Sequence, residues 1–356
     1  MKRILVINPG STSTKIAIYE DATPVFGETL RHSTEELAHY AMMYDQYAFR
    51  EKVICDCLVR AGFPLETFDA IIGRGGMLMP IPSGTYRINA LMIQHLIEGY
   101  SGQHASNLGG LLASRLAAKV SGCQSFIADP VTVDELQDVA RVTGIPAITR
   151  LSVFHALNQK AIAKKHAVSV GGKYAEMNLI VCHLGGGISV SAHCKGSVID
   201  TNNALHGEGP IAPERAGTIP ALQLAQLCFS GQYTLPQIQR MLNGKGGVVA
   251  HLGTNSFMEV SARVESGDSQ AITIYRAVAY TIAKCIGSMA VTLQGKVDGI
   301  LFTGGIAHDR KFIKSIEDQV SWIAPCFVYP GEDEMGALAQ NALAVLSGEE
   351  EAREYC

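Results

Sequence analysis

One short pattern occurs twice, and it does most to limit what the chain can fold into. Arg3 to Asn8 is a nearly continuous apolar run. Pro9-Gly10-Ser11-Thr12-Ser13 breaks it with turn chemistry, and Lys15 to Tyr19 resumes as a β-rich segment. Met177 to His183 is a second apolar run, followed by Leu184-Gly185-Gly186-Gly187 and then by Ile188 to His193. A run without polar alternation is what a strand buried on both faces requires. Placing Gly10 on Gly185 puts Asn8 on His183, 175 positions further on and close to half of the 356 residues. Glycine turns between strands are common, but this one opens each half of the chain. The pattern predicts an internal duplication.

The remaining elements alternate. In the first half the spacing predicts a strand over 25–31, a helix over 34–61 ending at Gly62, a strand over 69–72, a helix over 104–121 and a strand over 124–128. Thr132-Val133-Asp134-Glu135 reads as a capping box opening another helix, and Ser152 as the cap of a helix over 153–167. In the second half, strand 297–302 runs into Thr303-Gly304-Gly305, followed by helix 308–320, strand 326–329 and a last helix over 332–347. The acidic tail beyond it is expected to fray. Strands interleaved with long helices in both halves predict α/β layers. No Pro/Ser-rich linker appears, and the boundary between two lobes is placed near residue 150.

Composition closes off several function classes. Hydrophobic residues make up 47%, so the chain has core enough to fold. Lys and Arg number 29 against 33 Asp and Glu, a net charge of −4 with no basic block, which argues against nucleic acid as a partner. Nine cysteines without C-x-x-C spacing suit neither a disulfide scaffold nor a zinc ribbon, and point to the cytoplasm. The apolar run at the N-terminus is too short for a signal peptide. The apolar stretch 272–293 carries Arg276 and Lys284, so it reads as a buried helix and no membrane association is expected.

Three glycine turns, at Asn8–Ser13, His183–Gly187 and Thr303–Gly305, each end an apolar strand. Glycine lets a phosphate approach backbone N–H groups, and ligands of α/β sheets bind at strand C-termini. Ordinary tight turns are the alternative. No Walker-type sequence occurs, because Gly171-Gly172-Lys173 is followed by Tyr174. Gly207-Glu208-Gly209 lacks a preceding strand, so no Rossmann fingerprint is assigned there. Arg74, flanked by Gly73, Gly75 and Gly76, and Arg215, on a loop bounded by Pro210, Pro213 and Gly217, are candidate anion ligands or surface residues. Asp129 ends a strand and either caps a helix or holds a metal. His155 is structural or catalytic, and Glu332, Asp333 and Glu334 open a helix where the dipole favours acids. Together these are the parts of a phosphoryl-transfer site: arginines to clamp anions, carboxylates for Mg²⁺ and phosphate-type turns.

The same residues resemble a known family. Val6-Ile7-Asn8-Pro9-Gly10-Ser11-Thr12-Ser13-Thr14-Lys15, His183-Leu184-Gly185-Gly186-Gly187 and Phe302-Thr303-Gly304-Gly305-Ile306 resemble three signatures of the acetate kinase (acetokinase) family. Gly73-Arg74-Gly75-Gly76, Gly84-Thr85-Tyr86 and Ile211-Ala212-Pro213-Glu214-Arg215-Ala216-Gly217 resemble its butyrate kinase branch. The resemblance implies two duplicated actin-like, ribonuclease H-like lobes, each on a five-stranded sheet, around an active-site cleft. Lobe 1–150 would take the acyl substrate and be rejoined by the C-terminal helix 332–356, and lobe 151–331 would take the nucleotide. It implies reversible conversion of butyrate and ATP to butyryl phosphate and ADP, with Mg²⁺, in a homodimer or larger homo-oligomer. Isobutyrate or acetate and propionate are alternative substrates, and an actin-like or chaperone-type ATPase is a rival of another class.

Residue roles follow the motifs. The resemblance implies that Arg74 and Arg215 bind the acyl carboxylate and the transferring phosphoryl, and that His155 hydrogen-bonds that phosphoryl. It implies that Asn8, Gly10, Ser11, Thr12, His183, Gly185, Gly186, Gly187, Gly304 and Gly305 surround ATP. Asn8, Asp129 and Glu334 would lie at the metal, with Asp129 a positioner or metal anchor, because a fatty acid carboxylate needs no base at neutral pH. The family's asparagine after the first glycine of the His-Leu-Gly loop is Gly186 here, so backbone N–H groups would serve. Gly76 stands where acetate kinases carry a valine, and with Phe154 it would border the acyl pocket. Gly76 either leaves volume for a longer chain or answers a need for positive φ.

Overall fold

The computed structural model describes residues 1–40 and 42–356. Its contacts divide the chain into two compact units, Met1–Val133 with Asp333–Cys356, and Asp134–Glu332. The first unit carries strands β1 (Arg3–Pro9), β2 (Ser13–Glu20), β3 (Thr23–Arg31), β4 (Ala70–Arg74), β5 (Thr85–Arg87) and β6 (Gln124–Ala128) in the order β3-β2-β1-β4-β6-β5. The second carries β7 (Asn178–Leu184), β8 (Ile188–Cys194), β9 (Ser197–Thr201), β10 (Gly299–Gly304) and β11 (Cys326–Pro330) in the order β11-β10-β7-β8-β9. Without β5 the two orders coincide. In both, the first strand pairs antiparallel with the second and parallel with the fourth. The repeat read in the sequence is therefore a repeat of topology, with β1 and β7 beginning at Arg3 and Asn178. The first sheet has six strands rather than five, because β5 adds antiparallel to β6.

Both sheets are covered on both faces, as their unbroken apolar strands require. In the first unit, Leu5, Ile7, Ile71 and Ile127 pack with Ile54, Leu58, Leu108 and Leu112 of helices Tyr47–Ala61 and Asn107–Ala117. Helix Glu334–Ser347 lies against β1, β4 and β6. In the second unit, Ile180, Val190 and Phe302 pack on helices Ser269–Thr292 and Arg310–Val320. Leu179, Val181 and Leu301 meet Ala163 of helix Ala156–Ser169 on the other face. The long apolar helix is thus core, and among the described residues no helix is long and apolar enough to cross a membrane.

Four local expectations need correction. The helix expected over 34–61 is two helices, Thr34–Ala38 and Tyr47–Ala61, with Gly62 in the left-handed region at the end of the second. Thr132 to Glu135 opens no helix. Asp134 instead takes both guanidinium nitrogens of Arg141 at 2.6 and 2.8 Å, and Glu135 accepts from Lys160 Nζ at 2.7 Å. The Glu135–Lys160 bond, with Arg150 on Asp200 at 2.9 Å, ties residues 134–150 to the second unit, so the division falls at Val133 rather than near 150. Ser152 is not at the N-cap position, since the next helix begins at Ala156 with His155 there.

The tail is anchored rather than frayed. Arg353 N donates to Thr85 O at 2.8 Å, and Tyr355 is 2% exposed. Its hydroxyl accepts from Met79 N at 3.1 Å and bonds His95 Nδ1 at 2.8 Å. The acidic pattern of 349–354 hid an aromatic anchor at the penultimate position. Loss of a buried aromatic side chain costs about 3–5 kcal/mol. Tyr355→Ala is therefore expected to lower unfolding stability by about 3 kcal/mol, read from urea titration. An unchanged midpoint would return the tail to the surface.

Candidate active site

In the first unit, three residues from separate elements meet. Asn8 ends β1, Arg74 ends β4, and Glu334 opens the last helix. Asn8 Nδ2 donates to Glu334 Oε2 at 2.7 Å. Arg74 Nη1 donates to the same oxygen at 3.1 Å, while its Nη2 lies 3.0 Å from Oε1. Arg74 thus holds a carboxylate with both prongs of its fork. Its neighbouring glycines serve packing: a side chain at Gly73 would strike the backbone of Gly109, and one at Gly75 would meet Pro130 Cβ at 2.6 Å. Those contacts fix the end of β4 and aim Arg74.

Asp129, at the end of β6, is 4% exposed and has φ +39°. A non-glycine residue in the left-handed region is strained, and such strain collects at functional sites. Its Oδ1 accepts from Ser83 Oγ at 2.7 Å and Gly84 N at 2.9 Å. The next helix, Asp138–Arg141, has Gln137 at its N-cap position, so Asp129 is not its cap.

The turn after β1 has a brace the sequence reading missed. Arg50 is fully buried. Its Nη1 donates to Gly10 O at 2.8 Å, Ser13 O at 3.0 Å and Thr14 Oγ1 at 3.1 Å, and its Nη2 to Ser11 O at 3.1 Å. Burial pulls its guanidinium down to about 10, still charged at neutral pH. With three carbonyls of the turn held by Arg50, Ser11 and Thr12 stay exposed. A signal existed: Arg50, Ile54, Cys57 and Leu58 share one face of their helix, so an arginine sits on its apolar stripe.

In the second unit, the His155 and His183 rings stack with centroids 3.8 Å apart and planes 11° apart. His183, at the end of β7, bonds Asn158 Oδ1 through Nδ1 at 2.8 Å, and its Nε2 lies 3.2 Å from Glu332 Oε1. His155 Nδ1 bonds Ser189 Oγ at 2.8 Å. Phe154 beside it is 2% exposed.

Arg215 lies over the second glycine turn. A side chain at Gly187 would meet its guanidinium, so Gly187 leaves Arg215 the room it occupies. Arg215 Nε reaches Asn243 Oδ1 at 3.4 Å, but its Nη1 is buried with no hydrogen-bond partner. Burial lowers its pKa, with Glu214 opposing. Glu214 does not pair with it, and accepts instead from Asn255 Nδ2 at 2.5 Å. A cavity of about 690 Å³ is lined by Gly185, Gly186, Phe257, Gly305, Asp309 and Glu332 among others. Gly304, with φ +89°, lets the end of β10 touch the Leu184 carbonyl. Gly10, Gly186 and Gly305 would each accept a Cβ without collision, so the fold does not demand glycine at these three positions.

The comparisons agree with this inventory. A sequence profile described as the acetokinase family matches residues 146–320. A probable butyrate kinase of Clostridium botulinum is 52% identical over 353 residues, covering 99% of each chain. The chain belongs to the acetokinase family. Another relative, a probable butyrate kinase of Phocaeicola vulgatus, is 53% identical over 98% of this chain and 97% of its own. The fold is that of the acetate kinase of Porphyromonas gingivalis, with TM-score 0.80 at 17% identity over 97% of this chain and 100% of that one.

Both readings of Gly76 are overturned. Its φ is not positive, and the space beside it is filled: a Cβ would meet Asn107 Oδ1 and Leu96 Cδ2 at 2.6 Å and Asn107 Cα at 2.7 Å. The residue is glycine because helix Asn107–Ala117 begins against it. Overpacking of this kind costs about 1–3 kcal/mol. Gly76→Ala is expected to destabilise the protein by that amount and Gly76→Val by more, in thermal and urea unfolding. A Gly76→Val variant as stable as the parent would restore the open-pocket reading.

Proposed function

We propose that the chain phosphorylates a short-chain fatty acid, converting butyrate and ATP reversibly to butyryl phosphate and ADP. One carboxylate oxygen attacks the γ-phosphorus in line, the new P–O bond forms as the bond to ADP breaks, and no proton is transferred. The observation that carries this reading is Arg215 Nη1, a buried cationic donor without a partner. Leaving such a group unsatisfied is costly, so a ligand anion is its natural complement. Butyrate, rather than isobutyrate or acetate and propionate, is favoured by the full-length relatives, which are named probable butyrate kinases.

The first unit supplies the acid-binding set. Arg74 already grips the Glu334 carboxylate through both nitrogens, and a fatty acid carboxylate offers it the same pair of oxygens. The second unit supplies the nucleotide set. Gly186 and Gly305 flank its cavity and are free to let phosphate oxygens approach backbone N–H groups. Arg215 and His155 would offset the repulsion between an anionic nucleophile and the γ-phosphate.

Asn8 and Glu334 offer the hard oxygen donors that Mg²⁺ takes, and Asp129 would serve as a positioner or metal anchor. Among the described residues no three His, Cys, Asp or Glu side chains form a metal cluster, so phosphate oxygens and water would complete the shell. Bound there, the ion would neutralise phosphate charge. We place the protein in the cytoplasm, where its nine free thiols stay reduced. A homo-oligomer would cover Val139, Val142, Ile145 and Ile148, exposed along one segment, and Leu222 and Phe229 at a helix with no buried residue.

Acyl hydroxamate formation with ATP and acids from acetate to valerate, including isobutyrate, tests the reaction. Butyrate should give the highest kcat/KM, and steady ATP hydrolysis without hydroxamate would favour the ATPase rival. Arg215→Ala should lower kcat roughly 30- to 1,000-fold, the ~2–4 kcal/mol typical of such contacts, with ATP binding much less affected. Near-normal kcat would remove Arg215 from the site. Glu334→Ala should raise the Mg²⁺ concentration needed for half-maximal activity. An unchanged titration with a melting loss of only ~0.3–1 kcal/mol would leave Glu334 a helix-dipole residue.

A further inference from the structure

We propose that Ser189 and Gln159 are positioning residues that fix the proton of the neutral His155 ring on Nε2, so that His155 meets the phosphoryl group as a hydrogen-bond donor. The inference rests on the reading above that His155 contacts that group. Its own support is a closed chain of donors and acceptors buried between β8 and helix Ala156–Ser169.

The chain is anchored by an atom whose role admits no choice. The Ser189 backbone carbonyl can only accept, and it lies 3.2 Å from the Gln159 side-chain nitrogen. That fixes the Gln159 amide: the reverse orientation would set two acceptors against each other. Gln159 Oε1 therefore accepts from His193 Nε2 at 2.9 Å. His193 is fully buried, and burial, reinforced by Lys160, pushes its pKa well below the usual histidine range. A neutral His193 with its proton on Nε2 has a bare Nδ1, which accepts from Tyr174 OH at 2.7 Å.

The other end follows from the same amide. The second hydrogen on Gln159 Nε2 goes to Ser189 Oγ at 2.8 Å. The His155 backbone N–H also points to that oxygen, at 3.5 Å. With its oxygen accepting, the Ser189 hydroxyl directs its own hydrogen to His155 Nδ1, 2.8 Å away. Nδ1 is then an acceptor, and the ring proton resides on Nε2. Tyr174, His193, Gln159 and Ser189 thus set one tautomer in a ring already held flat against His183. Ser189 and His193 are completely buried, so water cannot substitute for a missing link.

The test has a spectroscopic arm and a kinetic arm. Long-range ¹⁵N–¹H correlation on histidine-labelled protein, with His155 assigned by its loss in His155→Gln, should show Nδ1 unprotonated and Nε2 protonated in the neutral ring. A protonated Nδ1 in the unaltered protein overturns the proposal. Ser189→Ala should lower kcat about tenfold, the scale of one lost hydrogen bond, with KM for ATP unchanged, and Ser189→Thr should restore it. Wild-type kcat in Ser189→Ala, or equal losses in the Ala and Thr variants, would reduce Ser189 to a packing residue. His155→Gln with normal kcat would overturn the underlying reading of His155, a different outcome from failure of the tautomer.

Discussion

A strand covered by helices on both faces can offer a ligand only its end. β1 and β7 are buried along their lengths, and so are β4 and β10 beside them. Chemistry is thereby confined to the C-terminal ends of parallel strands and the turns that leave them. Asn8, Arg74 and Asp129 occupy three such ends in the first unit, and His183 and Gly304 two in the second. The apolar runs that specify the sheets and the polar residues that terminate them are two sides of one constraint.

Arg50 and Arg215 show how differently one side chain can be used. Arg50 spends its donors on the chain's own carbonyls and becomes part of the scaffold. Arg215 keeps a buried donor unspent, and its pKa is lowered by the same desolvation. Stability would be better served by satisfying Arg215. The proposed role of Arg215 as a ligand group rests on this open donor.

The sequence made the repeat, the strands and the residues at their ends legible, because strand periodicity and glycine turns are local signals. It was misleading where a residue's partner is remote. Thr132 to Glu135 has the form of a capping box, but Asp134 and Glu135 are claimed by Arg141 and Lys160. Gly76 invited a reading about acyl volume, whereas the neighbour that matters, Asn107, is 31 positions away. Ile188 to His193 alternates like a half-exposed strand, yet Ser189, Ser191 and His193 are as buried as the apolar residues between them. Polar residues on a buried face need partners, and the sequence does not say that helix Ala156–Ser169 brings Gln159 to meet them. Arg50 left a trace that was available, as a charged residue on the apolar stripe of its helix, whereas helix Ala156–Ser169 buries Asn158, Gln159 and Lys160 together and has no such stripe to interrupt.

The make-up of the first unit bears on the order in which the protein can be made. The second unit is a continuous stretch, Asp134–Glu332, and all of its strands are present once that stretch has emerged from the ribosome. The first is not: its sheet is covered on one face by helix Glu334–Ser347, and Tyr355 pins its edge. Although synthesised first, residues 1–133 must wait through some 200 further residues, or about 10–40 s at ordinary translation rates, for the helix that completes them. The half of the molecule made earliest is therefore the last whose core can close.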